Sequence, residues 1–219
     1  MLGHPRSTVY GVLRRHGCSR LCDTDRVTRI PIRYERDRPG ELLHVDVKKL
    51  GRIPPGGGHR MLGRELGRRN RRRRVGHDYL HVAVDDHSRV AFVQVHPDEQ
   101  GPTAARFLLD AAAFFAEHGV TIERVMTDRH FSYLRSRDFS DALAAIGARH
   151  TPTRKYRPQT NGKAERFIQT MKREWAYRRL YTSNGARLRA RPGWVAFYNR
   201  RRSHTALGSR PPVSRLSTT

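Results

Sequence analysis

An α/β fold, with a mixed sheet and helices on its faces, is predicted by three features of this chain. Residues 79–84 and 90–95 alternate apolar with polar side chains and are joined by Asp85-Asp86-His87-Ser88-Arg89, the pattern of an antiparallel hairpin. Beyond that hairpin, short apolar runs of strand length alternate with segments of helical period. Gly119 and Gly147 fall where helical segments must stop. The order is three strands, helix, strand, helix, strand, helix. Hairpins followed by alternating β and α elements give a sheet with both antiparallel and parallel neighbours.

Taken in order, residues 5–16 read as a helix capped at Ser7 or Thr8, with Val9, Val12 and Leu13 on one face and Gly17 ending it. Its arginines suit the second helix of a helix-turn-helix. Residues 18–40 form a polar linker ending in Arg38-Pro39-Gly40. Leu42, Leu43, Val45 and Val47 then make a strand around Asp46. Residues 51–77, with Pro54-Pro55, three glycines at 56–58 and an arginine block, read as a long loop. After the hairpin come a helix over 101–118 with Phe107, Leu108, Ala111, Phe114 and Phe115 inward, and a strand over 122–126 that delivers Asp128. A helix over 139–146 and a strand over 150–153 follow. Thr160 or Asn161 caps a long helix reaching about Tyr181, and a last helix spans 192–201.

Composition narrows the partner. The chain has 219 residues, 44 Lys and Arg against 20 Asp and Glu, and a net charge of +24. All but Lys48, Lys49, Lys155, Lys163 and Lys172 of those cations are arginine, which grips phosphate with two parallel bonds. A polyanion is the expected partner. No apolar run is long enough for a bilayer and no signal peptide is visible, so the expectation is a soluble, cytoplasmic protein with no membrane partner. Cys18 and Cys22 stand alone as C-x3-C. With only His4 and His16 nearby at irregular spacing, they read as reduced thiols rather than a zinc site.

Against that positive field, three acids sit beside apolar stretches: Asp46 in LLHVDVKKL, Asp128 in RVMTDRH and Glu165 in RPQTNGKAERF. If the strands bearing Asp46 and Asp128 are parallel neighbours, their carboxylates meet at one sheet edge, and Glu165 can reach it from a crossing helix. Oxygen ligands so placed suit Mg²⁺ or Mn²⁺, two ions sharing the bridging Asp46. Lys163 and Lys172, on the helix of Glu165, could meet phosphates beside the metals. Arg68, Arg69, Arg71, Arg72, Arg73 and Arg74 read as phosphate contacts or a disordered run. Asp85, Asp86, Asp98, Glu99, Asp138 and Asp141 read as turn, helix-start and surface acids, and His44 and His87 lack ligand spacing. Tyr198, Asn199 and His204 read as packing residues.

The segments LLHVDVKKLGRIPPGGG, AVDDHSRVAFVQV, RPQTNGKAERFIQT and FYNRRRSHTALGSRPP resemble the integrase core of bacterial insertion-sequence transposases, most closely the IS481 family, over about residues 35–215. The resemblance implies a retroviral-integrase-like, RNase H-like fold: a mixed five-stranded sheet flanked by helices. It implies a DDE triad on Asp46, Asp128 and Glu165, with metal-dependent cleavage of DNA 3′ ends and strand transfer between transposon ends and target. A homo-oligomer on DNA is implied as well. The domain layout that follows is a helix-turn-helix remnant at 1–17, a linker at 18–40, the catalytic core at 41–200 and a tail at 201–219, the upstream helices of the family's module being absent. One departure stands out. The family reads Asp-Asn-Gly-Ser after its second acid, whereas this chain reads Asp128-Arg129-His130-Phe131-Ser132, losing the glycine turn and placing a competing cation at the site. That altered loop makes a catalytically impaired, DNA-binding remnant the alternative expectation.

Overall fold

The computed structural model describes residues 4–16, 35–71, 75–153 and 161–216, with backbone alone at 67–71. The side chains of Arg68, Arg69 and Arg71, the residues Arg72–Arg74, and both cysteines therefore lie outside the described residues. The chain divides into two compact units, 1–35 and 36–219.

In the first unit, α1 (Arg6–Arg15) starts two residues earlier than a Ser7 cap requires. Pro5 occupies the N-cap position, and no side chain caps the helix. Val9, Val12 and Leu13 lie on one face as expected, each about two-fifths exposed.

The second unit is built on a five-stranded sheet in the order β3-β2-β1-β4-β5. Its strands are β1 (Leu43–Gly51), β2 (His77–Asp85), β3 (Ala91–His96), β4 (Arg124–Thr127) and β5 (Arg149–Pro152). β1, β2 and β3 run antiparallel, and β1 joins β4, and β4 joins β5, in parallel. The mixed sheet is thus the expected one, and β1 is its central strand.

Period-two alternation sends each strand's residues to two separate cores. Leu43, Val45, Val125 and Ala83 pack against Phe107, Leu108, Ala111 and Phe115 of α3 (Gly101–Ala116), and against Phe139 of α5 (Arg137–Ala145). Leu50, Leu80, Val82 and Val84 pack on the other face against Phe167, Ile168 and Met171 of α6 (Gly162–Met171) and Trp194 and Tyr198 of α8 (Arg191–Arg200). Each fully buried large apolar side chain contributes about 1.5–3 kcal/mol. Gly119 (φ 72°) and Gly147 (φ 67°) end their helices in the left-handed region, as the sequence indicates.

Four stretches differ from expectation. Residues 51–77 are not a bare loop: α2 spans His59–Arg71, broken at Gly63 (φ 80°, ψ 172°). Met, Leu, Arg and Glu are good helix formers, and they outweigh the loop signal of the surrounding glycines. The long helix expected up to Tyr181 stops being α-helical at Met171, and a π turn carries it through Lys172–Ala176. A separate helix, α7 (Asn184–Arg189), precedes α8, and a one-turn helix, α4 (Phe131–Leu134), fills the loop after Asp128. No helix among the described residues is long and apolar enough to cross a membrane.

Gly40 shows how tightly the sheet margin is built. Its amide donates to Asp85 Oδ1 at 2.8 Å, its φ is 85°, and a Cβ there would stand 2.1 Å from the Thr121 carbonyl oxygen. Gly40→Ala should lower the unfolding free energy by about 3 kcal/mol in urea denaturation, from strain and overlap together. A change under about 1 kcal/mol would show that the margin relaxes freely.

Candidate active site

Asp46 sits on the α6 side of the central strand. Leu43, Val45 and Val47 turn toward α3, so His44 and Asp46 face the other way. Leu43 pairs with Val125 and His44 with Met126 in the parallel ladder. The ladder ends there, two residues before Asp46 on β1 and two before Asp128, which follows the last residue of β4. Glu165 stands in the first turn of α6 and is exposed beside a shallow groove of about 350 Å³ bounded by Gly162, Arg166 and Gln169.

Asp46 feels the other two acids. Burial pushes the Asp46 carboxyl up to about 6, and the charges of Asp128 and Glu165 add to the rise, while the Val47 amide, donating to Asp46 Oδ1 at 2.8 Å, opposes it. Among the described residues no basic side chain forms an ion pair with Asp46, Asp128 or Glu165. Arg129, expected to compete at Asp128, points one guanidinium nitrogen at the Thr153 carbonyl (3.4 Å). Asp128 closes its own turn, Oδ1 accepting from the His130 amide at 2.9 Å, so a side-chain turn stands where a glycine turn was expected. As the side chains stand, no group of three His, Cys, Asp or Glu among the described residues is gathered closely enough to hold a metal ion.

A buried polar network fixes this geometry, and the sequence reading passed over it. Asp86, fully buried, accepts from His44 Nε2 (2.8 Å) and from the Arg36 amide (2.7 Å), and it pairs with Lys163 Nζ. Burial alone would raise the Asp86 carboxyl, but the contacts from His44, Lys163 and Arg36 outweigh it and hold it well below the usual carboxylate range. The other ring nitrogen of His44 meets Asn161 Oδ1 at 3.1 Å, and Asn161 Nδ2 donates to the Val45 carbonyl at 3.1 Å. Asn161 does occupy the N-cap position of α6, yet its side chain makes no capping bond. It ties the helix to β1 instead, one residue from Asp46 and four from Glu165. Lys163, read as a phosphate contact, is bonded inward to Asp86, including its carbonyl at 3.2 Å, because a buried carboxylate demands a cation more strongly than open solvent does. Lys172 stands half-buried two helical turns beyond Glu165.

Tyr133 is a second residue the sequence reading missed. It is buried, its hydroxyl finds no partner among the described residues, and burial pushes that hydroxyl well above its ordinary value with Asp46 and Asp128 adding to the rise. The clues were present but diffuse: polar residues inside apolar segments, each ambiguous alone. The tail behaves as read. Asn199 bonds both backbone groups of Ala91 (2.9 and 2.8 Å), and Tyr198 packs between Phe167 and His204 at ring distances of 4.8 Å.

Comparison with known proteins agrees with this architecture. An integrase core domain family matches residues 36–158, and a second family of the same description matches residues 146–212. Among solved structures, the simian T-cell lymphotropic virus intasome in complex with PP2A regulatory subunit B56 gamma is 18% identical, covering 99% of this chain and 68% of that one at a TM-score of 0.60. The HTLV-2 integrase catalytic core domain in complex with magnesium, in its trimeric form, is 15% identical (83% and 99% covered, TM-score 0.55). The BIV integrase catalytic core is 16% identical (80% and 92% covered, TM-score 0.51). These likenesses establish a retroviral-integrase-like, RNase H-like fold. With one match running over more than half of its length, the chain belongs to the integrase core domain family.

Proposed function

We propose that this protein is a DNA transposase, of the insertion-sequence type that IS481-like motifs suggest, cutting DNA 3′ ends and transferring them through Asp46, Asp128 and Glu165. The observation that carries the reading is the raised carboxyl of Asp46, partly buried on the central strand with Asp128 and Glu165 near enough to add to the rise. An acid on the central strand, raised to about 6 by burial and by two neighbouring carboxylates, with no ion-paired cation among the described residues, is a site built for an external cation. The all-oxygen donor set fits Mg²⁺ or Mn²⁺. Once bound, divalent ions would shield the phosphate's charge and acidify the attacking water or hydroxyl.

The chain's own residues do the rest. β1 holds Asp46 rigidly, the Asp86–His44–Asn161 network sets the start of α6 and with it Glu165, and the basic surface draws the DNA in. The structural neighbours, an intasome and dimeric and trimeric cores, support an oligomer working on DNA here too. Lys172 and the block Arg68–Arg74 complete the proposed phosphate contacts.

The turn closed by Asp128 on His130 favours a second reading, a DNA-binding form with weakened chemistry, since one carboxylate oxygen is engaged by backbone. One experiment tests both. Duplexes carrying the DNA ends that flank the coding sequence, incubated with Mn²⁺, should yield nicked and joined products, and Glu165→Gln should reduce them by about a hundredfold or more. No product from the wild-type protein in any divalent metal, with product appearing once Arg129-His130 is replaced by Asn-Gly, would establish the weakened form. No product from either would sink the transposase reading.

A further inference from the structure

A cavity of about 580 Å³ opens away from the triad, between the end of β1, the first half of α2 and the segment just after the π turn. Five arginines line it, Arg52, Arg60, Arg64, Arg179 and Arg187, and no acid does among the described residues. Two of them form its base. Arg52 Nε bonds the buried Asp78 at 2.8 Å, while Arg187, itself 1% exposed, bonds the Gly51 carbonyl (2.9 Å) and Asn184 (2.7 Å) and leaves Nε without an acceptor among the described residues. Arg60, Arg64 and Arg179 pair with no carboxylate among the described residues. The guanidinium of Arg60 lies over one face of the Tyr177 ring, 5.2 Å from its centre, and Tyr177 is 39% exposed.

We propose that this cavity anchors single-stranded DNA, one unstacked base lying on Tyr177 and the adjoining phosphates meeting Arg60 and Arg64. A half-exposed aromatic ring backed on one face by a guanidinium, beside guanidiniums that pair with no carboxylate among the described residues, fits a base on its open face and the adjoining phosphate together. A duplex hides its base faces in the stack, so the ring can receive only a base that has left it. The volume falls within the range of about 300–1,000 Å³ typical of small-ligand sites, room for a nucleotide but not for a double helix. An acidic peptide would satisfy the arginines yet leave the ring face unused.

Position adds a register, and this part rests on the catalytic reading. From Asp46 to Gly51 the strand advances about 16 Å at 3.3 Å per residue. From Glu165 to Tyr177 the helix, π turn included, advances at most about 18 Å, the value at 1.5 Å per residue. Both routes place the anchor about five nucleotides from the triad along a strand rising 3.4 Å per step. The cavity would hold a strand frayed open beside the cut.

The test is equilibrium binding of the full chain, in EDTA, to a labelled oligothymidylate of about twelve nucleotides and to the matching duplex, read by fluorescence anisotropy. Tyr177→Ala should weaken single-strand binding about 5- to 100-fold while changing duplex binding less than twofold, and Tyr177→Phe should restore it. The double variant Arg60→Ala/Arg64→Ala should reduce the salt slope for the single strand by about 1.4, or 0.7 for each phosphate no longer neutralised. Circular dichroism checks that each variant is folded. Equal losses on single strand and duplex, or unchanged affinity and slope in both variants, would overturn the anchor. So would displacement of the oligonucleotide by an equimolar polyglutamate peptide, which would assign the cavity to an acidic protein. Because EDTA silences any cleavage, a Tyr177 effect in a protein that never cuts DNA upholds the anchor without the transposase. Cleavage with no Tyr177 effect removes the anchor alone.

Discussion

Asp46→Asn should abolish DNA cleavage and, at the same time, make the protein more stable at neutral pH by about 2 kcal/mol. The carboxyl is raised from 3.8 to about 6. The folded state therefore holds the Asp46 proton more tightly than the unfolded chain does. Stability is full below about pH 4, falls as pH rises towards 6, and stays low above it, by about 3 kcal/mol at full burial and about 2 for a half-buried group. Asparagine keeps the size of the side chain and an oxygen for the Val47 amide, but it carries no charge at any pH. Urea denaturation of both proteins should give curves that coincide near pH 4 and separate by about 2 kcal/mol at pH 7.5, the variant above. Mg²⁺ should then stabilise the wild-type protein at pH 7.5 and leave the variant unmoved, because binding to the folded state adds stability only where a ligand carboxylate remains. A variant that is less stable than wild type at pH 7.5 would mean that Asp46 is paired in a way its surroundings do not show. An Asp46→Asn protein that still cuts DNA would remove Asp46 from the chemistry.

Asp86→Ala should cost about 3–5 kcal/mol, the penalty for stripping the partner from buried charges and donors. His44 Nε2 and the Arg36 amide would lose the carboxylate they bond, and Lys163 Nζ would lose its ion pair while keeping the carbonyl of residue 86. Since Asp86 is held well below the usual carboxylate range, the loss should be the same from pH 5 to pH 8, unlike the Asp46 effect. Lys163→Met in the Asp86→Ala background should recover part of the stability, and the double-mutant cycle would give the coupling directly. If Asp86→Ala costs under about 1 kcal/mol, the network is ornamental to the fold and cannot position Glu165.

The sheet, with the strands of Asp46 and Asp128 as parallel neighbours, was legible because each acid lies beside an apolar run. Alternation fixes the face of an interrupted strand without reference to anything distant. What escaped was long-range. Asn161 looks the same in one dimension whether it caps its own helix or reaches across to Val45, and only the fold tells them apart. Asp86 sits in a sequence that any exposed hairpin turn could have, so its burial was invisible until Leu42, whose carbonyl takes the Asp86 amide at 2.9 Å, was laid beside it. α2 was hidden by composition: glycine and proline on either side of a short helical stretch weigh more in a local reading than the stretch itself. Lys163 was misjudged for a related reason. A lysine beside a candidate metal ligand looks available to phosphate, and the acid that claims it lies 77 residues away.

The π turn at Lys172–Ala176 has a consequence for how one rod serves two purposes. Widening a single turn by one residue rotates everything downstream by about 100° relative to an unbroken helix. Glu165 and Tyr177 are therefore set on independent bearings, although one continuous stretch of chain carries both. Trp175 is driven fully inside, its indole donating to the Arg187 carbonyl at 2.9 Å, and that buried peg locks the new bearing in place. The element works like a shaft with a keyed coupling: the end that faces the acids can stay fixed while the far end is re-aimed by gaining or losing one residue at the joint.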